Sequence, residues 1–172
     1  MANSAGNNIQ TATGKGKLVD AVGQDIADDL CKAACDAQKK KDEGTGSYHR
    51  QTDMRNNIDP AATRGTNTVG GNTGVLGEVG QAIEPGGLGK FVGKWGTAVA
   101  KAGAKVKWDI VLTTATSTAK GTLTWGDVKK IIEVKFKEDF PTAAQEKAKD
   151  AMGKEAKEKY YEMNVDEDCT CP

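Results

Sequence analysis

Histidine is almost absent from this 172-residue chain, where His49 is the single one. That excludes nuclease mechanisms built on two histidines, and it excludes metal sites rich in imidazole. A cysteine–histidine hydrolase would have to pair His49 with Cys31 or Cys35. Those thiols fall in the body of an expected helix rather than at its N-terminus, so nothing there lowers their pKa. Long apolar runs are also missing: none approaches the ~20 residues of a membrane span, and no span is expected. The opening stretch, MANSAGNNIQTATGKGK, lacks the apolar core of a signal peptide. It is rich in Asn, Ser, Thr and Gly, so it is expected to be loose and could mark where a larger protein was cut. Net charge is absent as a total, with 24 basic and 24 acidic residues, but not as a distribution. Residues 1–89 carry 9 basic and 11 acidic groups, residues 90–159 carry 15 and 9, and residues 160–172 carry 0 and 4. The basic middle block suits a surface that faces a polyanion. The same lysines also fit a plain solvated helix face.

What is present begins with KLVDAVGQDIADDLCKAACDAQKKK, residues 17–41. Leu18, Val22, Ile26, Leu30 and a run of alanines form one helical stripe, and the lysine-rich end complements the helix dipole. Residues 1–43 therefore read as an N-terminal extension with a helix. Residues 44–89 hold 11 of the 21 glycines and read as a long irregular region with at most one short helix. Within it GVLGEVGQAI (74–83) puts Val75, Leu76, Val79 and Ile83 on one helical face. GLGKFVGKWGTAVAKAG repeats that pattern with Leu88, Phe91, Val92, Trp95 and Val99, and Phe91 and Trp95 are expected in the core. AKVKWDIVLTT (104–114) reads as a strand, KKIIEVKF as its antiparallel neighbour, residues 141–159 as a helix and YYEMNV (160–165) as a closing strand. A core over 90–165 with an acidic, cysteine-bearing tail at 166–172 completes an α/β chain on the border of α+β.

Side chains two apart in a strand share a face. In KKIIEVKF one face carries Ile132, Val134 and Phe136 and wants a core, while the other carries Ile131, Glu133 and Lys135. Asp109 sits one strand earlier. Two carboxylates on neighbouring strands, with the backbone carbonyl of Val134 between, form a hard-oxygen set suited to magnesium. A lysine two residues after the glutamate can offset negative charge that develops on an attacked phosphate. The bland alternatives are an exposed charge pair on an edge strand and an aspartate that caps a turn. Tyr48, Arg50 and Arg55, beside His49, read as a solvated loop or as substrate contacts.

Four cysteines form two close pairs, Cys31-x-x-x-Cys35 and Cys169-x-Cys171, near opposite ends. Disulfide staples between those ends, a four-thiolate structural zinc site and inert thiols all fit the spacing.

The strand WDIV followed by IIEVKF resembles the PD-(D/E)xK nuclease fold over residues 90–165, specifically the VRR-Nuc type found at the C-termini of some type VI secretion effectors. The resemblance implies a restriction-endonuclease-like αβββαβ core behind a long irregular N-terminal extension. It also implies hydrolysis of DNA phosphodiesters with magnesium or manganese. It assigns Asp109 as the acid of the first strand, Glu133 and Lys135 as the E-x-K, and Gln145 as a glutamine of the following helix. Glu78, or more weakly Glu84, matches an upstream glutamate on the first core helix that adds to the metal ligands. Trp108 stands where the family carries a proline, and QEKAKDAMG lacks the tyrosine often found after the glutamine. From the residues alone, Thr142-x-x-Gln145 is equally a capping box. The resemblance further implies a toxin domain, joined to a secretion apparatus through a missing N-terminal portion and delivered to a target cell's cytoplasm. A cognate immunity protein would protect the producer. A noncatalytic interaction domain stapled by its cysteines, and a housekeeping nuclease of the same fold, are the alternatives.

Overall fold

A computed structural model of the chain describes residues 16–46, 50–58, 67–69, 73–92, 104–114 and 123–172. The first helical stripe forms two helices, α1 (Lys17–Val22) and α2 (Gln24–Asp42). Gly23 separates them at φ 87°, a left-handed conformation that costs glycine little. A third helix, α3 (Arg50–Ile58), packs on α2. The strands are β1 (Asn67–Val69), β2 (Thr73–Glu84), β3 (Gly87–Val92) and β4 (Ala104–Thr113). A short 3₁₀ turn at Trp125–Asp127 then leads into β5 (Val128–Lys135). The expected helix at 141–159 is present as α4 (Ala143–Asp150) and α5 (Lys154–Lys159), which are followed by β6 (Tyr160–Asn164) and the single turn α6 (Val165–Asp168).

The six strands form one sheet in the order β1-β2-β4-β5-β6, with β3 also paired to β2. Every pairing is antiparallel except β5–β6. That parallel pair is joined through α4 and α5, the crossover a parallel connection requires. The chain is thus a mixed α/β structure with a mostly antiparallel sheet.

Two expectations are corrected here. Residues 74–83 are not a helix but the long strand β2, paired with β4 over nine positions. Residues 87–92 form the strand β3 rather than the start of a second amphipathic helix. Val79 and Ile83 are spaced by four, which suits one side of a strand as well as a helical stripe. The glycines between them weaken a helix, so the sheet wins. The stretch expected to be irregular therefore supplies α3 and much of the sheet, and Glu78 and Glu84 belong to a strand. Phe91 is buried as expected; Trp95 lies outside the described residues, as do Tyr48 and His49.

Helices cover both faces of the sheet. On one side α1–α3 lay Leu18, Leu30, Ala34 and Met54 against Ile110, Leu112, Ile132, Val134 and Met163. On the other, Ala148, Met152 and Ala156 join Leu76, Val111, Ile131 and Trp108. A strand buried on both faces reads as a near-continuous apolar run. That is the character of β4 and β5, and it makes charged side chains inside them conspicuous.

The cysteines are paired as Cys31–Cys169 and Cys35–Cys171, tying α2 to the C-terminal segment. Zinc would need those sulfurs as thiolates; here they are bonded to one another. Cys31 and Cys169 are 138 residues apart, and closing so long a loop stabilises the fold by roughly 5 kcal/mol in the chain-entropy model.

Candidate active site

The β4–β5 ladder runs from Thr113↔Val128 to Ile110↔Ile132. Asp109 and Glu133 follow at its open end, where the Asp109 carboxylate takes the place of a backbone partner. Asp109 Oδ2 accepts from the Val134 N–H at 2.9 Å. On the other side β5 continues beside β6, with Glu133 across from Glu162 and Lys135 across from Asn164. β5 is therefore an interior strand, and the reading of Glu133 and Lys135 as exposed edge charges fails. Glu133 is 0% exposed and Lys135 8%.

Gln145 joins them. Its side-chain Nε2 donates to Glu133 Oε1, and its Oε1 accepts from Lys135 Nζ at 2.8 Å. The same Oε1 accepts from the Thr142 N–H at 3.0 Å, and Thr142 Oγ1 accepts from the Gln145 N–H at 3.2 Å. The capping-box reading holds, and the same side chain also reaches Glu133 and Lys135. The capping box fixes the first turn of α4, and the fixed turn carries the amide onto the strand. Lys135 Nζ lies 3.8 Å from Glu133 Oε1. Glu133 Oε2 is buried without a hydrogen-bond partner among the described residues.

Burial pushes the Asp109 carboxyl up to about 6, against the opposing pull of the Val134 N–H, Lys135 and Lys107. Burial, then the charge of Asp109, pushes Glu133 up to about 8, with Lys135 pulling the other way. Burial and the neighbouring Asp109 charge thus outweigh the pull of Lys135 on Glu133, a balance that a further positive charge would shift toward the ionised carboxylate. Asp109, Glu133 and the Val134 carbonyl are hard oxygen donors of the kind a divalent cation takes, and the unsatisfied Oε2 gives such an ion a place. Among the described residues no group of three or more His, Cys, Asp and Glu gathers to hold a metal. Magnesium held by one or two carboxylates and its own waters needs no such group.

Glu78 lies in β2 between Gly77, paired with Ile110, and Val79, paired with Trp108. Its backbone thus stands across from Asp109; its side chain is outside the described residues. Glu84 lies at the far end of β2, beside the turn to β3.

Three further groups surround the site; Gln51 and Glu162 have no signal in the local sequence, and Arg50, read as a solvated loop residue or a substrate contact, instead opens α3. Gln51 on α3 donates to the Val134 carbonyl at 3.4 Å and to Asp139 at 2.7 Å. Arg50 stacks over the Phe136 ring and reaches Asp139 at 3.5 Å. Glu162 pairs with Lys149 at 2.6 Å and accepts from the Tyr160 hydroxyl. Burial would raise Glu162, but the hydrogen bond and charge of Lys149 outweigh it, so its carboxyl is held below its ordinary value. Only parallel pairing and packing of distant segments bring these residues here. A cleft of about 250 Å³ opens at Lys135, bounded by Lys137, Glu138, Asp139 and Glu162 among others.

Comparison of the chain with family models, curated proteins and solved structures returns no match. No described helix is long and apolar enough to cross a membrane.

Proposed function

We propose that this chain is a divalent-cation-dependent nuclease that hydrolyses DNA phosphodiester bonds, with Asp109, Glu133, Lys135 and Gln145 at its centre. One observation carries the reading. A glutamate carboxylate is fully buried, leaves one oxygen without a partner, and stands with a second acid beside a nearly buried lysine. A buried carboxyl with one oxygen left unsatisfied is costly, and a purely structural role would be met better by an apolar residue. The element order supports the reading too. From β2 onward, setting aside the β3 hairpin strand, the chain runs strand (β2), strand (β4), strand (β5), helix, strand. That is the order which follows the first helix of the αβββαβ core.

Asp109, Glu133 and the Val134 carbonyl would hold magnesium or manganese. Such an ion supplies Lewis-acid stabilisation of the charge that builds on a phosphate under attack. Lys135, held at its Nζ by Gln145, presents a fixed positive charge to the same phosphate. Gln145 orients both members of the E-x-K, and Gln51 and Arg50 hold the backbone that follows. The cleft beside Lys135 is bounded by more carboxylates than lysines.

Delivery as a secreted antibacterial toxin into a target-cell cytoplasm, through a secretion apparatus and opposed by an immunity protein, belongs to this proposal through the family resemblance alone. The two disulfides favour a second reading, a noncatalytic stapled interaction domain. That reading gives Glu133 no reason to be buried. The test is incubation of plasmid with purified protein and magnesium, with and without chelator. Chelator-sensitive cleavage supports the nuclease; intact plasmid under every divalent ion supports the interaction domain.

A further inference from the structure

The two disulfides bind the same pair of segments, and those segments meet behind the candidate site. Cys31 and Cys35 lie one turn apart on α2 and are buried. Their partners, Cys169 and Cys171, follow directly on α6 and β6. β6 is an edge strand of five residues whose strand partner is β5, and it lines up Glu162 with Glu133 and Asn164 with Lys135. The link from sulfur to strand is short and rigid. Cys169 N–H donates to the Val165 carbonyl at 3.0 Å. The Asp168 carboxylate accepts from the Asn164 N–H and the Tyr161 hydroxyl, both at 2.9 Å. The two bonds differ in access. Cys31 and Cys169 are both buried, at 0% and 6%, whereas Cys171 is exposed.

We propose that the paired disulfides are a redundant latch that makes the site respond to reduction with a threshold. Reduction of the outer Cys35–Cys171 bond leaves β6 in place, and only loss of both bonds frees β6 and opens the wall beside Glu133 and Lys135. The redundancy follows from loop entropy. With either bond present the long loop stays closed, and the other closes only a small ring. Losing one should change the folding equilibrium by roughly 10- to 100-fold, and losing both by roughly 10⁵-fold.

The reductant is a dithiol. One of its thiolates attacks the exposed Cys171 sulfur, and Cys35 leaves as a thiolate and takes a proton. The second thiolate of the reductant then closes on the first and releases Cys171 as a thiol. Two electrons and two protons pass to the protein, and the reductant leaves as its own disulfide. The inner bond follows by the same exchange at a slower rate, because neither sulfur is open to attack. Disulfides persist in oxidising compartments and not in a glutathione-poised cytosol. A chain that moves from the first to the second loses the outer bond early and the inner bond late.

Timed reduction of the intact protein with dithiothreitol, followed by alkylation and peptide mass analysis, gives the order. Zinc content is measured on the same sample. Labelling of Cys35 and Cys171 is expected at least tenfold faster than labelling of Cys31 and Cys169, with no bound zinc. Amide exchange in β6 should stay slow at the two-thiol stage and rise at the four-thiol stage. The paired variants Cys35→Ser with Cys171→Ser, and Cys31→Ser with Cys169→Ser, report the same redundancy without reductant, each melting only several degrees below the parent, far less than a variant that lacks both bonds. Simultaneous labelling of all four, four free thiols at the outset, bound zinc, or β6 exchange that is unmoved by full reduction would overturn the proposal.

Discussion

Gln145 holds the Glu133 carboxylate and the Lys135 ammonium with the two ends of one amide, while its backbone and Oε1 complete the cap of α4. Helix start and site are therefore one construction, and the two roles can be separated by substitution. Thr142→Ala removes the hydroxyl of the cap and should cost about 1 kcal/mol with little effect on cleavage. Gln145→Ala also strips Lys135 and Glu133 of their bridge. It should cost roughly 1–3 kcal/mol more and slow cleavage. Thermal melts and plasmid assays on both variants check this; equal behaviour of the two would reduce Gln145 to a cap.

Glu133→Gln should move stability and activity in opposite directions. The folded protein holds a proton on Glu133 up to about pH 8, whereas an unfolded glutamate gives it up near its ordinary value of 4.5. The folded state thus binds more protons across that window, and stability falls as pH rises from about 4.5 to about 8, then levels. Glutamine removes this slope, so at pH 9 the cation-free variant should melt above the parent. Cation binding and cleavage should fall together. A variant that melts below the parent at pH 9 would mean the carboxylate supports the fold.

Lys135→Met keeps the stem and deletes the ammonium. Cation affinity, read by calorimetry, should persist, while cleavage falls by roughly 10²–10³-fold, the usual cost of one preorganised charge. Loss of cation binding in this variant would assign the lysine to the ion's surroundings instead.

Cation binding should release protons. Asp109 and Glu133 titrate near 6 and 8 in the free protein, and both must ionise to hold a divalent ion. Manganese affinity should therefore rise with pH between about 6 and 8, and calorimetric heats at pH 7 should scale with the ionisation enthalpy of the buffer. Buffer-independent heats would place the ion elsewhere.

The strands that carry the charges were legible in the sequence because β-branched residues surround Asp109, Glu133 and Lys135, and two-residue alternation sorts their faces. The opening helix was legible for the same reason at helical spacing, apart from its break at Gly23. β2 was not, since apolar residues four apart satisfy both periods and its glycines suggested a loop. Glu162 could not be recognised as a neighbour of Glu133, because parallel pairing through a crossover has no local signature. The cysteine spacing left disulfides, zinc and inert thiols open, and the choice depends on how closely α2 approaches the C-terminal segment.

The most direct test is supercoiled plasmid incubated with the purified parent chain and with Glu133→Gln, in magnesium, in excess chelator, and in chelator followed by surplus magnesium. A cation-dependent nuclease built on Glu133 predicts nicking by the parent in magnesium, none in chelator, recovery when magnesium is restored, and an intact plasmid with the variant throughout. Cleavage that survives chelator, or a variant that cuts as fast as the parent, would contradict it.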